Sequence, residues 1–460
     1  MGDRTDLIGT RLEAFRDELF DFLRIPSVSA RSEHRDDTNR AGQWVVDQMA
    51  RAGLEAELVG TEGHPIALGE WRGAGDDAPT LLIYGHYDVQ PVEPLHLWTS
   101  PPFEPEVRDG RIYARGASDD KGQLFLHLKA LEVLLETRGE LPVNVVVLAE
   151  GEEEVGSPNL LPFVKAHRER LACDAVLISD SQMFAPGRPS LLFSLRGLSY
   201  LEIRIRSAAS DLHSGSYGGA VPNPAQVLAS IVGSLHDEQG RVAVPGFYDA
   251  VVEWDQETRD EIRSLPFDEE AFQAGVGARA LGGEKGFSTL ERLWIRPTCE
   301  VNGLLSGYTG EGAKTVLPAE AMAKVSCRLV PDQDPDEVAR LLREHVGRVA
   351  PDTVEVEIRE LHRGHPWRGR PDGPYFQAAR AALRQAFGTD PVLTGEGGSI
   401  PIVSDFERVL GAPVILLGFA LPGCNMHAPN EWFPAEHVEL GIITLLDLYQ
   451  RLGTGDPEDG

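Results

Sequence analysis

His86 and Asp88 stand two residues apart in Gly85-His86-Tyr87-Asp88, directly after the apolar run 79–84. On an extended backbone both side chains point to the same face. A metal-ligating imidazole usually donates its other N–H to a carboxylate, which fixes its tautomer, so His86 could be a ligand and Asp88 part of its support. The spacing alone is weak, because a strand-end histidine is more often a hydrogen-bonded structural residue. Ser118-Asp119-Asp120-Lys121-Gly122 follows the turn Ala114-Arg115-Gly116-Ala117. Adjacent acids at a helix start are ordinarily N-cap and first-turn residues favoured by the helix dipole, and Asp120 fits that description. Asp119 differs if it lies beside His86, since one carboxylate can bridge two cations roughly 3.5–4 Å apart.

The run 143–149 ends in Glu150-Gly151-Glu152-Glu153-Glu154. Three consecutive acids on a loop are usually just solvated. At a sheet edge they repel one another unless cations or protons neutralise them. One could then bind metal while a neighbour takes a proton from water that the metal acidifies. Asp180 ends the run 175–179, and His427 lies in the loop 423–431 that follows the run 413–419. Two histidines among acidic ligands suit zinc, cobalt or manganese better than magnesium or calcium. Three further places are weaker: the glycine-rich loop 211–219 around His213, Arg328 on the polar side of an alternating segment, and Gly395-Glu396-Gly397-Gly398-Ser399-Ile400-Pro401. The last could bring backbone N–H groups to an anion.

The elements that must position these residues are legible from periodicity. Short β-branched runs bounded by polar residues read as buried strands of a parallel sheet, and ligands gather outside the carboxyl ends of such strands. Helical patterns cover 7–23, 38–52 and a segment from Asp119-Asp120 to Gly139, so the first part reads as a doubly wound α/β domain. Near Arg196 the pattern changes. Strands are expected over 198–207, 293–301, 321–330 and 353–361, with helices over 223–236 and 336–346. That β-α-β-β-α-β order is ferredoxin-like. The stretch between Gly246 and Phe287 gives no clear pattern. A helix over 375–387 and the strand near 414–419 return to α/β character, so the smaller domain reads as an insertion. The expected division is a larger α/β domain over 1–195 and 366–460, with the smaller domain inserted over 196–365.

Composition sets outer bounds. A chain of 460 residues is long for one core, and 42% hydrophobic content excludes wholesale disorder. The formal net charge of −29 repels polyphosphate, so no nucleic-acid partner is expected. Cys173, Cys299, Cys327 and Cys424 are scattered, which fits a reducing cytoplasm better than a disulfide framework. No run approaches the ~20 apolar residues of a membrane span, and residues 1–22 do not resemble a signal peptide.

Taken in order, Gly85-His86-Tyr87-Asp88, Ser118-Asp119-Asp120-Lys121-Gly122, the segment 150–157, Asp180 and His427 resemble the M20 metallopeptidase family. Within it they are most similar to the cytosolic nonspecific dipeptidase and carnosinase branch, and the likeness runs from Ile25-Pro26-Ser27-Val28-Ser29 to Asn430-Glu431. The resemblance implies two divalent cations per subunit, zinc first and manganese or cobalt as alternatives. Asp119 would bridge them, His86 and Asp180 would complete one ligand set, and Glu154 and His427 the other. It makes Glu153 the general base and Asp88 the residue that orients His86, and it puts a cis peptide between Asp119 and Asp120. It makes the larger domain catalytic and the smaller one a lid that also forms a homodimer, with His213 reaching the partner's active site to stabilise an oxyanion. Thr315, Arg328 and Ser399 would contact substrate. The implied activity is hydrolysis of dipeptides of broad sequence. The alternatives are an N-acyl-amino-acid amidohydrolase or a carboxypeptidase on the same scaffold and, more remotely, a non-catalytic metal-binding module.

Overall fold

The apolar runs come together side by side. In the computed structural model, which describes residues 2–398 and 400–454, a six-stranded sheet takes the order Glu55–Val59, Ile66–Trp71, Asn144–Glu150, Thr80–His86, Ala175–Ile178, Val414–Leu416. The last four strands are parallel to one another. The first two join antiparallel, so the sheet is mixed. Parallel strands must be covered on both faces. Leu81, Ile83, Val145, Val147, Leu177 and Ile415 share one core with residues of the helices Gly2–Leu23, Arg35–Ala52, Lys121–Arg138, Pro374–Phe387 and Glu436–Thr454. On the opposite face Tyr84 meets Phe406 edge-on, with ring centroids 5.3 Å apart.

The helix Lys121–Arg138 is buried all round from Lys121 to Leu131, as expected of a helix at the centre of a large core. Its polar side chains find partners inside. His127 lies between Ser179 Oγ and Tyr449 OH, at 2.8 and 2.7 Å. Lys129 Nζ donates to Gln48 Oε1 at 2.9 Å and Glu132 Oε2 at 2.6 Å, and also to Glu18. The start of this helix presses against the end of the His86 strand. A Cβ at Gly85 would stand 2.9 Å from Asp120 Oδ2, and one at Gly122 would stand 1.9 Å from the Ala117 carbonyl oxygen. Only glycine permits that approach.

The chain divides into two compact units, and the elements above lie in the unit formed by Met1–Phe193, Gly369–Thr394 and Asp405–Gly460. The other unit comprises Ser194–Arg368 and Gly395–Ser404. Its antiparallel sheet runs Thr298–Ser306, Glu320–Leu329, Gly197–Arg206, Glu355–Gly364. Leu201, Ile203 and Ile205 pack with Leu228 and Ile231 of the helix Pro224–Gly233 and with Val338, Leu342 and Val346 of Pro335–Val349.

One expected strand is corrected. Residues 293 and 294 belong to the helix Thr289–Trp294, and the strand begins only at Thr298 and continues to Ser306. Ser288 and Glu291 close a reciprocal capping box that starts this helix, and Trp294 is buried on it, so local capping and burial outweigh the strand-like composition. The unassigned stretch 246–287 contains the helices Gln256–Ser264 and Glu269–Gly275, each started by an aspartate whose side chain accepts a backbone N–H, Asp255 and Asp268. Among the described residues no helix is long and apolar enough to cross a membrane.

Candidate metal centre

His86 ends its strand, Glu153 and Glu154 occupy a short 3-10 turn after the next, and Asp180 follows Ala175–Ile178. The parallel arrangement brings all of these to one sheet edge, together with Asp119 and the loop of His427. His86 Nε2 lies 3.1 Å from Asp119 Oδ1 and 4.0 Å from Asp180 Oδ2. His427 Nε2 lies 2.8 Å from Asp119 Oδ2 and 3.3 Å from Glu154 Oε2. Two donor groups result, His86–Asp119–Asp180 and Asp119–Glu154–His427, each with its ligand atoms within 4.8 Å of one another. Asp119 belongs to both and turns one oxygen to each. The peptide between Asp119 and Asp120 is cis. His86 is fully buried, whereas the His427 side chain is 57% exposed, so the centre opens on the His427 side.

The electrostatics are those of crowded acids. Burial, reinforced by neighbouring carboxylates, pushes Glu153 up to about 8, Glu154 to about 10 and Asp180 to about 6. Burial acts the same way on Asp119, but hydrogen bonds from His427 and His86 outweigh it and hold that carboxylate well below its ordinary value. Glu154 Oε1 is buried and has no protein hydrogen-bond partner. A buried carboxylate oxygen left open among like charges is a place for a cation, and the N/O donor set fits zinc, manganese or cobalt.

The surrounding residues fix this geometry. Asp88 Oδ1 lies 3.4 Å from His86 Nδ1 and accepts the Glu153 N–H at 3.2 Å, while Oδ2 accepts the Glu154 N–H at 3.1 Å. Asp88 therefore braces the turn that carries two of the acids as well as the imidazole. Asp120 makes no side-chain cap. Its carboxylate is buried and accepts the His86 N–H at 3.3 Å. The three glutamates diverge: Glu152 turns away from the centre and accepts from His64 N at 3.1 Å and Asn159 Nδ2 at 2.8 Å. Sequence reasoning missed Gln90, whose Nε2 donates to Glu154 Oε2 at 2.7 Å. The alternation His86, Asp88, Gln90 was the available signal. It also missed Glu150, which accepts from Tyr84 OH at 2.6 Å and Ser157 Oγ at 2.7 Å and is raised to about 7 by burial.

His213, Thr315 and Arg328 lie in the other unit. The Thr315 carbonyl accepts the Ser214 N–H at 3.0 Å, which joins the His213 and Thr315 segments. His213 is exposed, and its Nδ1 accepts the Gly215 N–H at 3.1 Å, leaving the ring proton on Nε2. Arg328 sits half-buried on Glu320–Leu329, away from that unit's core side. Ser399 lies outside the described residues.

Residues 82–451 match peptidase family M20/M25/M40. The chain belongs to that family. This M20 chain is 32% identical to the Cys-Gly metallodipeptidase dug1 of Schizosaccharomyces pombe over 98% of both chains. It is 29% identical to the Beta-Ala-His dipeptidase of Homo sapiens, over 95% of this chain and 86% of the human protein. Among solved structures, the M20 family metallo-carboxypeptidase Sso-CP2 from Sulfolobus solfataricus superposes with a TM-score of 0.85 at 34% identity, covering 96% of this chain and 99% of that one. The chain is therefore an M20 peptidase with that family's mixed α/β fold.

Proposed function

We propose that this M20 peptidase is a broad-specificity dipeptidase that works with two divalent cations, zinc first, with manganese or cobalt able to replace it. The observation that carries the reading is Asp119 shared between two donor groups beside the half-buried Glu153. His86 and Asp180 would hold one cation, Glu154 and His427 the other, and Asp119 both. When bound, the cations would acidify a water and polarise the scissile carbonyl. Glu153 then acts as general base: it takes the proton of the attacking water and delivers it to the leaving amine. Asp88 keeps His86 and the Glu153 backbone in register for that transfer. His213 would reach the centre of a partner copy and donate its Nε2–H to a developing oxyanion there, and Thr315, Arg328 and Ser399 are assigned to the substrate.

The smaller unit is read as the lid and as the site of homodimerisation. Its edge strand Thr298–Ser306 exposes Leu304 and Leu305, at 60% and 57%, a surface that suits pairing with a second copy. Four free thiols fit a reducing cytoplasm. The dipeptide preference is supported by the names of the Schizosaccharomyces pombe and human relatives. The likeness to Sso-CP2 favours a second reading, removal of single residues from the carboxyl end of longer peptides.

Mass-spectrometric product analysis separates these readings. Manganese- or zinc-loaded protein is given free dipeptides, N-acetylated amino acids and longer peptides, with Glu153→Gln as control. Cleavage limited to dipeptides with free amino termini, absent from the control, is expected. Trimming of long peptides would transfer the protein to the carboxypeptidase reading, and release of acetate would make it an amidohydrolase.

A further inference from the structure

Glu431 belongs to neither donor group, yet it is fully buried and takes four hydrogen bonds. Its Oε2 accepts from Arg115 Nη1 at 2.7 Å and Gly116 N at 2.9 Å. Its Oε1 accepts from Ser118 N at 2.8 Å and Asp119 N at 3.1 Å. The last donor is the backbone of the carboxylate that both groups share. Arg115, 1% exposed, reaches further. Its Nη2 contacts the Pro91 carbonyl oxygen at 3.3 Å and the Ala428 carbonyl oxygen at 3.4 Å. Pro91 directly follows Gln90, and Ala428 directly follows His427. One ion pair therefore ties together the three loops that carry His86 and Gln90, Asp119, and His427.

A buried ion pair is weak evidence for stability, because desolvation offsets most of its attraction. What distinguishes this one is where its remaining hydrogen bonds go: each ends on backbone of a ligand-bearing loop. We infer that Glu431 and Arg115 are positioning residues for cation binding, holding Asp119 so that each of its oxygens faces a different donor group. The inference rests on the two-cation reading above. A glutamine at 431 has one carbonyl oxygen and one NH2. Whichever way it turns, the NH2 confronts N–H donors, either those of Arg115 and Gly116 or those of Ser118 and Asp119.

The test is cobalt and manganese binding to the full-length protein, followed by the visible absorption of bound Co2+ and by titration calorimetry with Mn2+. Glu431→Gln, with wild-type circular dichroism, is expected to bind both ions roughly 10–100-fold more weakly, the range for residues that support metal ligands, and to give an altered cobalt spectrum. A folded Glu431→Gln with wild-type affinity and spectrum overturns the inference. If that variant does not fold, Arg115→Lys decides. It keeps a cation opposite Glu431 but lacks the second nitrogen arm that reaches Pro91 and Ala428, so a several-fold loss and a shifted spectrum are expected. An unchanged spectrum in Arg115→Lys overturns the inference. Both readouts are independent of turnover. A wild-type protein that binds cobalt but cleaves no dipeptide would sink the functional reading alone, whereas one that binds neither ion sinks both.

Discussion

Asp88 serves three partners with two oxygens, the His86 imidazole and the backbone N–H groups of Glu153 and Glu154. His86 Nδ1 also meets the Asp88 backbone carbonyl at 3.2 Å, but Asn puts an NH2 in place of one oxygen, so the N–H of Glu153 or of Glu154 must lose its acceptor. Hydrogen bonds to a charged group contribute roughly 1.5–3 kcal/mol each. Loss of such support around a metal ligand typically lowers activity or affinity 10–100-fold. Asp88→Asn should therefore lower kcat within that range while KM for a dipeptide changes little, which steady-state kinetics at saturating manganese would check. A kcat within twofold of wild type would show that Asp88 does not brace the Glu153–Glu154 turn. The same scale explains why a run of three acids is poorly described as one feature. Glu152 is spent on the segment at His64, Glu153 is half-buried with its carboxyl raised to about 8, and Glu154 faces His427.

At the scale of elements, the helix Lys121–Arg138 does two jobs: its start presents Asp119 and Asp120, and its middle fills the core. His127 lies in that middle, and burial alone holds its imidazole down at about 3 from an ordinary 6.5. The folded state therefore refuses a proton that the unfolded chain accepts below about pH 6.5. The unfolded state binds more protons between the two values, so stability falls as pH drops through that window, by up to ~1.4 kcal/mol per pH unit. Glutamine can still hydrogen-bond Ser179 and Tyr449 but cannot titrate. Urea unfolding should show His127→Gln less stable than wild type at pH 7, with the gap narrowing by ~2 kcal/mol at pH 5. Parallel pH profiles would mean that His127 is not held neutral.

For the whole molecule, each unit has its own core, and the acidic cluster belongs to one of them. Cations that bind only the folded cluster stabilise it by about 2.7 kcal/mol at a hundredfold excess over Kd, which corresponds to a rise in Tm on the order of 5 °C. Calorimetry with manganese and then with EDTA should show that rise and its reversal, and Glu154→Gln should show much less of it. An unshifted wild-type transition would argue against cations at this cluster. The sequence by itself determined the parallel pairing of the four apolar runs and the edge at which His86, Asp119, Glu154, Asp180 and His427 would meet. Those properties follow from local periodicity and from the rule that parallel strands end on one side. It did not reveal the two short helices in 246–287, whose charged turns bury little apolar surface, with Ile262 the one fully buried residue between them. It could not show that Glu431 would hold the amide of Asp119, that Glu152 would turn to His64, or that Asp88 would brace the Glu153–Glu154 turn. A buried polar group takes the donors that folding brings within about 3 Å. For a carboxylate whose donors lie 312 to 316 residues away in the chain, only the tertiary structure decides which those are.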